Sequence, residues 1–198
     1  MSPYPDQSTP APARGASRRR VAARLALCLA LGLALGPGLA WGGESLETDV
    51  KATYLYKFAP FVDWPADAFA GPSSPFTICV AGKDPFGPVL DRAVAGQRAE
   101  GRPIEVRRLS EGDKPVGCHV LFVGGSSERA RQTLQAARGL PVLTVTDAAP
   151  SAGIIDFTLS GGRVLFRIDD QAAAESRLTI SSKLLSLALS VRPRHGGG

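Results

Sequence analysis

Phe76-Thr77-Ile78-Cys79-Val80-Ala81, followed at once by Gly82-Lys83-Asp84-Pro85-Phe86-Gly87, decides the fold class. Six residues without a charge are too few for a core helix and about right for a strand covered on both faces, the condition of parallel strands flanked by helices. The Gly/Pro segment then breaks the run, and Val89, Leu90, Ala93 and Val94 follow at helical spacing up to Gly96. Strand, tight turn and helix in that order are the first half of a βαβ unit. A second function is open to such a turn, because doubly wound sheets bind anions where a strand hands over to a helix. This one matches neither GxGxxG nor GxxxxGK[ST], Pro85 lacks one N–H, and Asp84 would repel an anion. We read it as a structural βα turn.

Working outward, the same logic repeats. Pro103 to Leu109 alternates Ile104, Val106 and Leu109 with charged residues, as a half-exposed strand does. Cys118 to Val123 is a second apolar strand, and Ser126-Ser127-Glu128 opens a helix with Ala130, Leu134 and Ala137 inward and Gly139 at its end. Pro141 to Thr146 is a third buried strand. The pattern then changes: Ile154–Leu159 and Val164–Ile168 flank Ser160-Gly161-Gly162-Arg163, a hairpin signal. Gln171 to Leu178 reads as a short helix. A last helix is expected behind Ser181, with Ile180, Leu184, Leu187, Ala188 and Val191 on one face. At the other end, residues 46–63 read as an amphipathic helix with Val50, Tyr54, Phe58 and Phe61 inward and Leu55, Ala59 and Val62 beside them, stopped by Trp64-Pro65. The aromatic cluster Tyr54, Tyr56, Phe58, Phe61 and Trp64 offers either core or a partner surface, and core burial explains most of it. The expected architecture is an α/β fold: a three-layer α/β/α sandwich, Rossmann-like in the broad sense, with a mixed sheet, a C-terminal antiparallel hairpin and helices at both ends.

The first 42 residues stand outside this fold. A Pro/Ala/Ser-rich stretch precedes Arg18, Arg19, Arg20 and Arg24, an apolar run from Leu25 to Leu35, and Gly36-Pro37-Gly38. That order is a cleavable export signal, with cleavage after Ala40 or after Gly42. A membrane anchor would need about 20 apolar residues. Ser17-Arg18-Arg19-Arg20-Val21 loosely resembles a twin-arginine signal. Residues 43–192 then form one domain, and 193–198 a disordered tail.

Export changes the charge argument. Of 23 basic and 18 acidic residues, five arginines and Asp6 precede residue 44, which leaves 18 and 17 and a net charge of +1. Bulk charge gives no support for nucleic-acid binding. Cys79 and Cys118 survive processing; an even count in an exported chain suggests a disulfide, with two buried free thiols as the alternative.

The remaining residues offer little chemistry. His119 stands at the start of a buried strand and His195 in the tail, so no nucleophile–base pair suggests itself. Asp169-Asp170 reads as a strand terminus followed by a helix cap, and no cluster suits a metal. The expectation is a non-enzymatic protein without a cofactor.

Several blocks together carry a resemblance. Tyr54-Leu55-Tyr56-Lys57-Phe58 with Phe61-Val62-Asp63-Trp64-Pro65, then Phe76–Val80, Gly82–Gly87, Gly101-Arg102-Pro103-Ile104, Cys118-His119-Val120-Leu121-Phe122, Leu143-Thr144-Val145, Gly161-Gly162-Arg163-Val164 with Phe166-Arg167-Ile168, and Ile180–Leu185 follow the order found in YfiR-family proteins. The resemblance spans residues 48–191. It implies a periplasmic, dimeric regulator that binds the periplasmic part of an inner-membrane diguanylate cyclase, or of a sensor kinase, and represses it. An outer-membrane-anchored protein relieves the restraint. It also places Cys79 and Cys118 where the best-known member has a disulfide pair; that member carries a second cysteine pair near the hairpin, and this sequence has none there. By position it suggests Phe157, Leu159, Gln171 and Arg177 as partner contacts. A small-ligand sensor using the crevice near Gly82–Gly87 is the alternative.

Overall fold

A computed structural model describes residues 42–148 and 153–195. Apart from Gly42, the expected export signal lies outside the described residues.

Eight strands form one mixed sheet in the order β10-β8-β7-β6-β5-β2-β4-β3. Its centre is β2 (Phe76–Gly82), flanked in parallel by β4 (Arg102–Arg108) and β5 (Val120–Gly124), with β6 (Leu143–Thr146) parallel to β5. The short β3 (Arg98–Ala99) edges β4. On the far side β7 (Ile155–Ser160) and β8 (Arg163–Asp169) make the antiparallel hairpin. Gly161 and Gly162 both take positive φ at its turn, as a two-residue hairpin turn requires.

The pleat sorts side chains into two cores. Phe76, Ile78, Val80, Val120, Phe122, Leu143, Val145, Ile155, Phe157, Phe166 and Ile168 face one cluster. Helix α1 (Gly42–Lys57) closes it with Ala52 and Leu55, and α2 (Pro88–Val94) with Leu90 and Val94. Cys79, Ala81, Leu121 and Val123 face the other, under Ala130, Leu134 and Ala137 of α3 (Glu128–Ala137). Helices on opposite faces make this the three-layer α/β/α arrangement expected. The chain crosses from β4 over to β5 on the other side of β2, so the order reverses between β2 and β5. There the two backbones pack so closely that a Cβ at Gly82 would collide with the Gly124 carbonyl, and one at Gly124 with that of Lys83.

The capping signals hold. Ser127 and Ser181 accept hydrogen bonds from Ala130 N and Leu184 N, and Asp169 caps α4 (Asp170–Glu175) through Ala172 N. Two sequence expectations need correction. The first helix ends at Lys57 rather than residue 63, because Pro60 has no N–H to continue it; a 3₁₀ turn at Ala59–Phe61 follows. Of the residues expected inward, Phe58 is buried, with Leu55, Ala59 and Val62 beside it and Ala52 in addition, while Val50, Tyr54 and Phe61 are half-buried. The short β1 (Val62–Asp63) pairs with β9 (Thr179–Ile180). The last helix, α5 (Ser182–Leu187), is also shorter than expected. The chain extends after it into β10 (Ser190–Arg192), which runs parallel to β8 and becomes the sheet edge, so Val191 lies on a strand and Leu187 points to solvent.

Where a disordered tail was expected from residue 193, Arg194 donates two hydrogen bonds to Asp170 and one to the Leu178 carbonyl, and His195 N donates to Gln171 Oε1. Residues 196–198 lie outside the described residues.

Candidate partner-binding surface

The sheet is not covered evenly. Between β2 and β6 both faces are closed. On β7, β8 and β10 the core-facing row runs out from beneath the helices. Leu159 pairs with Val164 across the hairpin, and Leu189 N donates to the Phe166 carbonyl, which puts Leu189 and Val191 level with Phe166 and Ile168 on the adjacent edge strand. Leu159, Leu187 and Leu189 are 54%, 63% and 52% exposed. Leu159 and half-buried Val164 lie at the hairpin end, Leu189 and partly exposed Val191 follow along the edge level with Phe166 and Ile168, and Leu187 is exposed at the end of α5, so the outer sheet has an apolar margin. Beside it β10 presents three exposed residues and an unpaired backbone edge.

The four residues suggested as partner contacts scatter. Phe157 is buried in the aromatic core, with ring centroids 5.9 Å from Tyr54 and 6.1 Å from Phe58, and in this conformation offers a partner no surface. Burial is the physical reason: on β7 the alternation turns Ile155 and Phe157 under α1, and only Leu159 passes beyond it. Leu159 belongs to the exposed margin. Gln171 lies on α4, hydrogen-bonded to Glu175 and to the His195 amide. Arg177 takes a positive φ of 59° immediately after α4, where glycine is the usual residue, and its guanidinium reaches Asp67. Leu187 escaped sequence reading because helical spacing placed it on an inner face, and Leu189 because that spacing gave it no role; the helix ends at Leu187 and the chain extends from Ala188, which leaves both exposed.

Cys79 and Cys118 form a disulfide with a Cα separation of 5.7 Å. Both cysteines are buried beneath α3, and Arg107 donates to Cys118 Sγ at 3.1 Å and to the Val116 carbonyl.

The Gly82–Gly87 loop spends its own amides. Asp84 Oδ1 accepts from Phe86 N and Gly87 N, while Arg108 binds Asp84, Asp91 and the Gly87 carbonyl. That Arg108 pairing holds the Asp91 carboxyl below its ordinary pKa. The N–H groups that could cradle a phosphate already have a carboxylate.

His119 is buried. Its Nδ1 accepts from Thr77 N at 3.0 Å, so the ring proton of the neutral imidazole sits on Nε2, which makes no hydrogen bond of ordinary geometry among the described residues. Burial lowers its pKa; the backbones of Ala68 and Thr77 oppose that shift, and the charge of Arg102 adds to it. No nucleophile is in reach of it by any hydrogen bond seen here. Among the described residues no group of three or more His, Cys, Asp or Glu could hold a metal ion, and no helix is long and apolar enough to cross a membrane.

The molecule is thus an α/β sandwich whose distinguishing feature is an exposed apolar edge. Over residues 48–189 it matches the family described as YfiR/HmsC-like, and the chain belongs to that family. Its members are regulators rather than enzymes and act in the periplasm. A comparison with curated proteins finds no match.

Proposed function

We propose that this protein binds the periplasmic part of an inner-membrane signalling protein, a diguanylate cyclase in the first instance and a sensor kinase in the second, and represses it. The observation that carries the reading is the apolar margin of Leu159, Leu187, Leu189 and Val191 on an otherwise finished core. Exposed apolar side chains grouped at one sheet margin mark protein contacts, and the β10 edge, which no strand among the described residues pairs, can accept an added strand. Export through the N-terminal signal, a homodimer and release by an outer-membrane-anchored protein complete the proposal.

The test is genetic and chemical together. Deleting the gene is expected to raise cyclic-di-GMP. The wild-type gene should restore the level, and Leu159→Ser/Leu189→Ser should not, although that protein accumulates normally. A photo-crosslinker at Leu187 should capture the same membrane protein whose loss abolishes the deletion phenotype. An unchanged cyclic-di-GMP level, with no change in sensor-kinase output, would overturn the reading.

One observation favours a second reading, a small-ligand sensor. A cavity of about 690 Å³ opens at the carboxyl ends of β2 and β4 and against α3, beside the β2–β5 reversal, lined by Lys83, Glu111, Lys114, Ser127 and Arg129. Strand-order reversal is where open α/β sheets hold ligands. A metabolite that raises the melting temperature, with the rise lost in Lys83→Glu, would support it; flat melting across a metabolite panel would remove it.

A further inference from the structure

At the opposite end of β2 and β5 from that cavity, five side chains form one continuous stack. The imidazole of His119 lies between Phe69 and Phe76, with ring centroids 4.3 and 5.0 Å away. Arg102 caps the outer face of Phe69 at 4.0 Å, and Trp64 meets Phe76 edge-on at 5.2 Å. Each of these contacts also holds the segment 64–75 down. Trp64 Nε1 donates to the His119 carbonyl, and Arg102 donates to the carbonyls of Gly71 and Ser74, both at 2.8 Å. At its middle Asp67 reaches out to Arg177, the residue held at positive φ beyond α4.

The chemistry of the ring makes this closure conditional. A backbone N–H can only donate, so the Thr77 amide fixes Nδ1 as an acceptor and puts the single ring proton on Nε2. A second proton has one place to go, Nδ1, where it would meet the Thr77 N–H head-on. The imidazolium so formed would be enclosed by two phenyl rings, with Arg102 beyond the first. The groups facing the ring are the Ala68 backbone and Phe69 from the segment, Phe76 and Thr77 N–H from β2, and Arg102 from β4. β6 contributes only Leu143 N–H to the His119 carbonyl. Arg102 is the charge that acts on the ring, and it is of the wrong sign to stabilise a cation. Among the described residues no carboxylate acts on it, and only the backbones of Ala68 and Thr77 favour the charged ring, against burial and Arg102.

We propose that His119 makes the segment 64–75 an acid-released strap: protonation at Nδ1 breaks the Thr77 bond, unstacks Phe69 and frees the segment, together with its Asp67–Arg177 tie, while the sheet stays folded. The sheet survives because β2 and β5 are joined along Ile78–Gly82 and Val120–Gly124, beyond Thr77 from the strap, and because the Cys79–Cys118 bond ties them on the other face of the sheet. The device is independent of which partner the protein binds, so its failure would leave the partner-binding reading standing.

The experiment uses the purified full-length protein carrying Trp41→Phe, so that Trp64 is the sole tryptophan, and follows Trp64 emission and hydrogen exchange from pH 7.5 to 5.0. Exchange is corrected for its intrinsic pH dependence, and far-UV circular dichroism monitors the sheet. The expected result is a red shift of Trp64 and faster exchange in peptides covering 64–77, with circular dichroism unchanged. The opening equilibrium should rise by up to tenfold per pH unit below about 6.5, the limit for one proton linked to opening. His119→Asn, which keeps an acceptor for Thr77 N–H and cannot titrate in this range, should abolish the response; if it fails to fold, His119→Phe serves. His195→Ala should leave the response intact. Asp67→Asn should retain the opening of 64–77 while uncoupling exchange at 176–181 from pH. A pH response that persists in the His119 variants, no response in the parent protein, or loss of circular dichroism in step with Trp64 would each overturn the proposal.

Discussion

The two halves of one sheet use their apolar residues differently. Between β2 and β6 nearly every side chain is buried, with α1 and α2 on one face and α3 on the other. From β6 outward the α3 side turns polar: Thr144 accepts from Ile154 N and Thr146 hydrogen-bonds Asp156. The opposite face stays apolar as far as the hairpin tip, where Leu159 and, on the neighbouring edge strand, Leu189 lie open. The inner half contributes its hydrophobic surface to folding stability. The outer half keeps part of its surface exposed, which folding alone does not explain and the proposed partner binding would.

Substitutions should separate the halves. The largest effect belongs to the inner one: Phe122 is fully buried and meets Phe86 edge-to-face at 4.7 Å. Phe122→Ala is expected to cost about 3–5 kcal/mol in chemical denaturation. Removing the disulfide as Cys79→Ala/Cys118→Ala should cost roughly 4 kcal/mol, the loop-closure value for a 39-residue separation. Thiol labelling of the unreduced, denatured protein should find neither of these cysteines free. A smaller effect is expected where the two halves meet the tail. Arg194→Ala leaves the mostly buried Asp170 without its partner, and should cost on the order of 1 kcal/mol and raise hydrogen exchange in β10. The smallest stability effect belongs to the outer half: Leu159→Ser and Leu189→Ser should each stay within about 0.5 kcal/mol while abolishing repression. A large loss of stability there would mean that the margin is core after all and would dissolve the comparison.

Acid provides a further contrast. His119 has its folded pKa lowered by burial, so the unfolded chain takes up a proton first. Stability is then fully present above the unfolded value of about 6.5 and declines as pH falls from there toward the lower folded value. Global denaturation at pH 7.5 and 5.5 should show that decline in the parent protein and a smaller one in His119→Asn.

Strand and helix order, the caps at Ser127 and Ser181 and the Gly161-Gly162 hairpin were legible in the sequence because each depends on a local rule: uninterrupted apolar runs, side chains that satisfy free amides, glycines that accept positive φ. The family followed from blocks in order. The tertiary structure decided what local rules cannot rank. Val191 fits a helical period with Leu187 as well as an extended one with Leu189, and only pairing with β8, together with the Arg192–Asp169 and Arg194–Asp170 ties, selects the strand for it. Phe157 and Leu159 share one face of one strand, and their fates differ because α1 reaches over the first and not the second. Which sulfur, ring or amide stands opposite Cys79, His119 or Thr77 depends on contacts made across about 40 residues of chain. Local sequence specifies the elements, because their hydrogen bonds and spacing are local; exposure and partnership belong to the packed whole, because each is settled by residues distant in the chain.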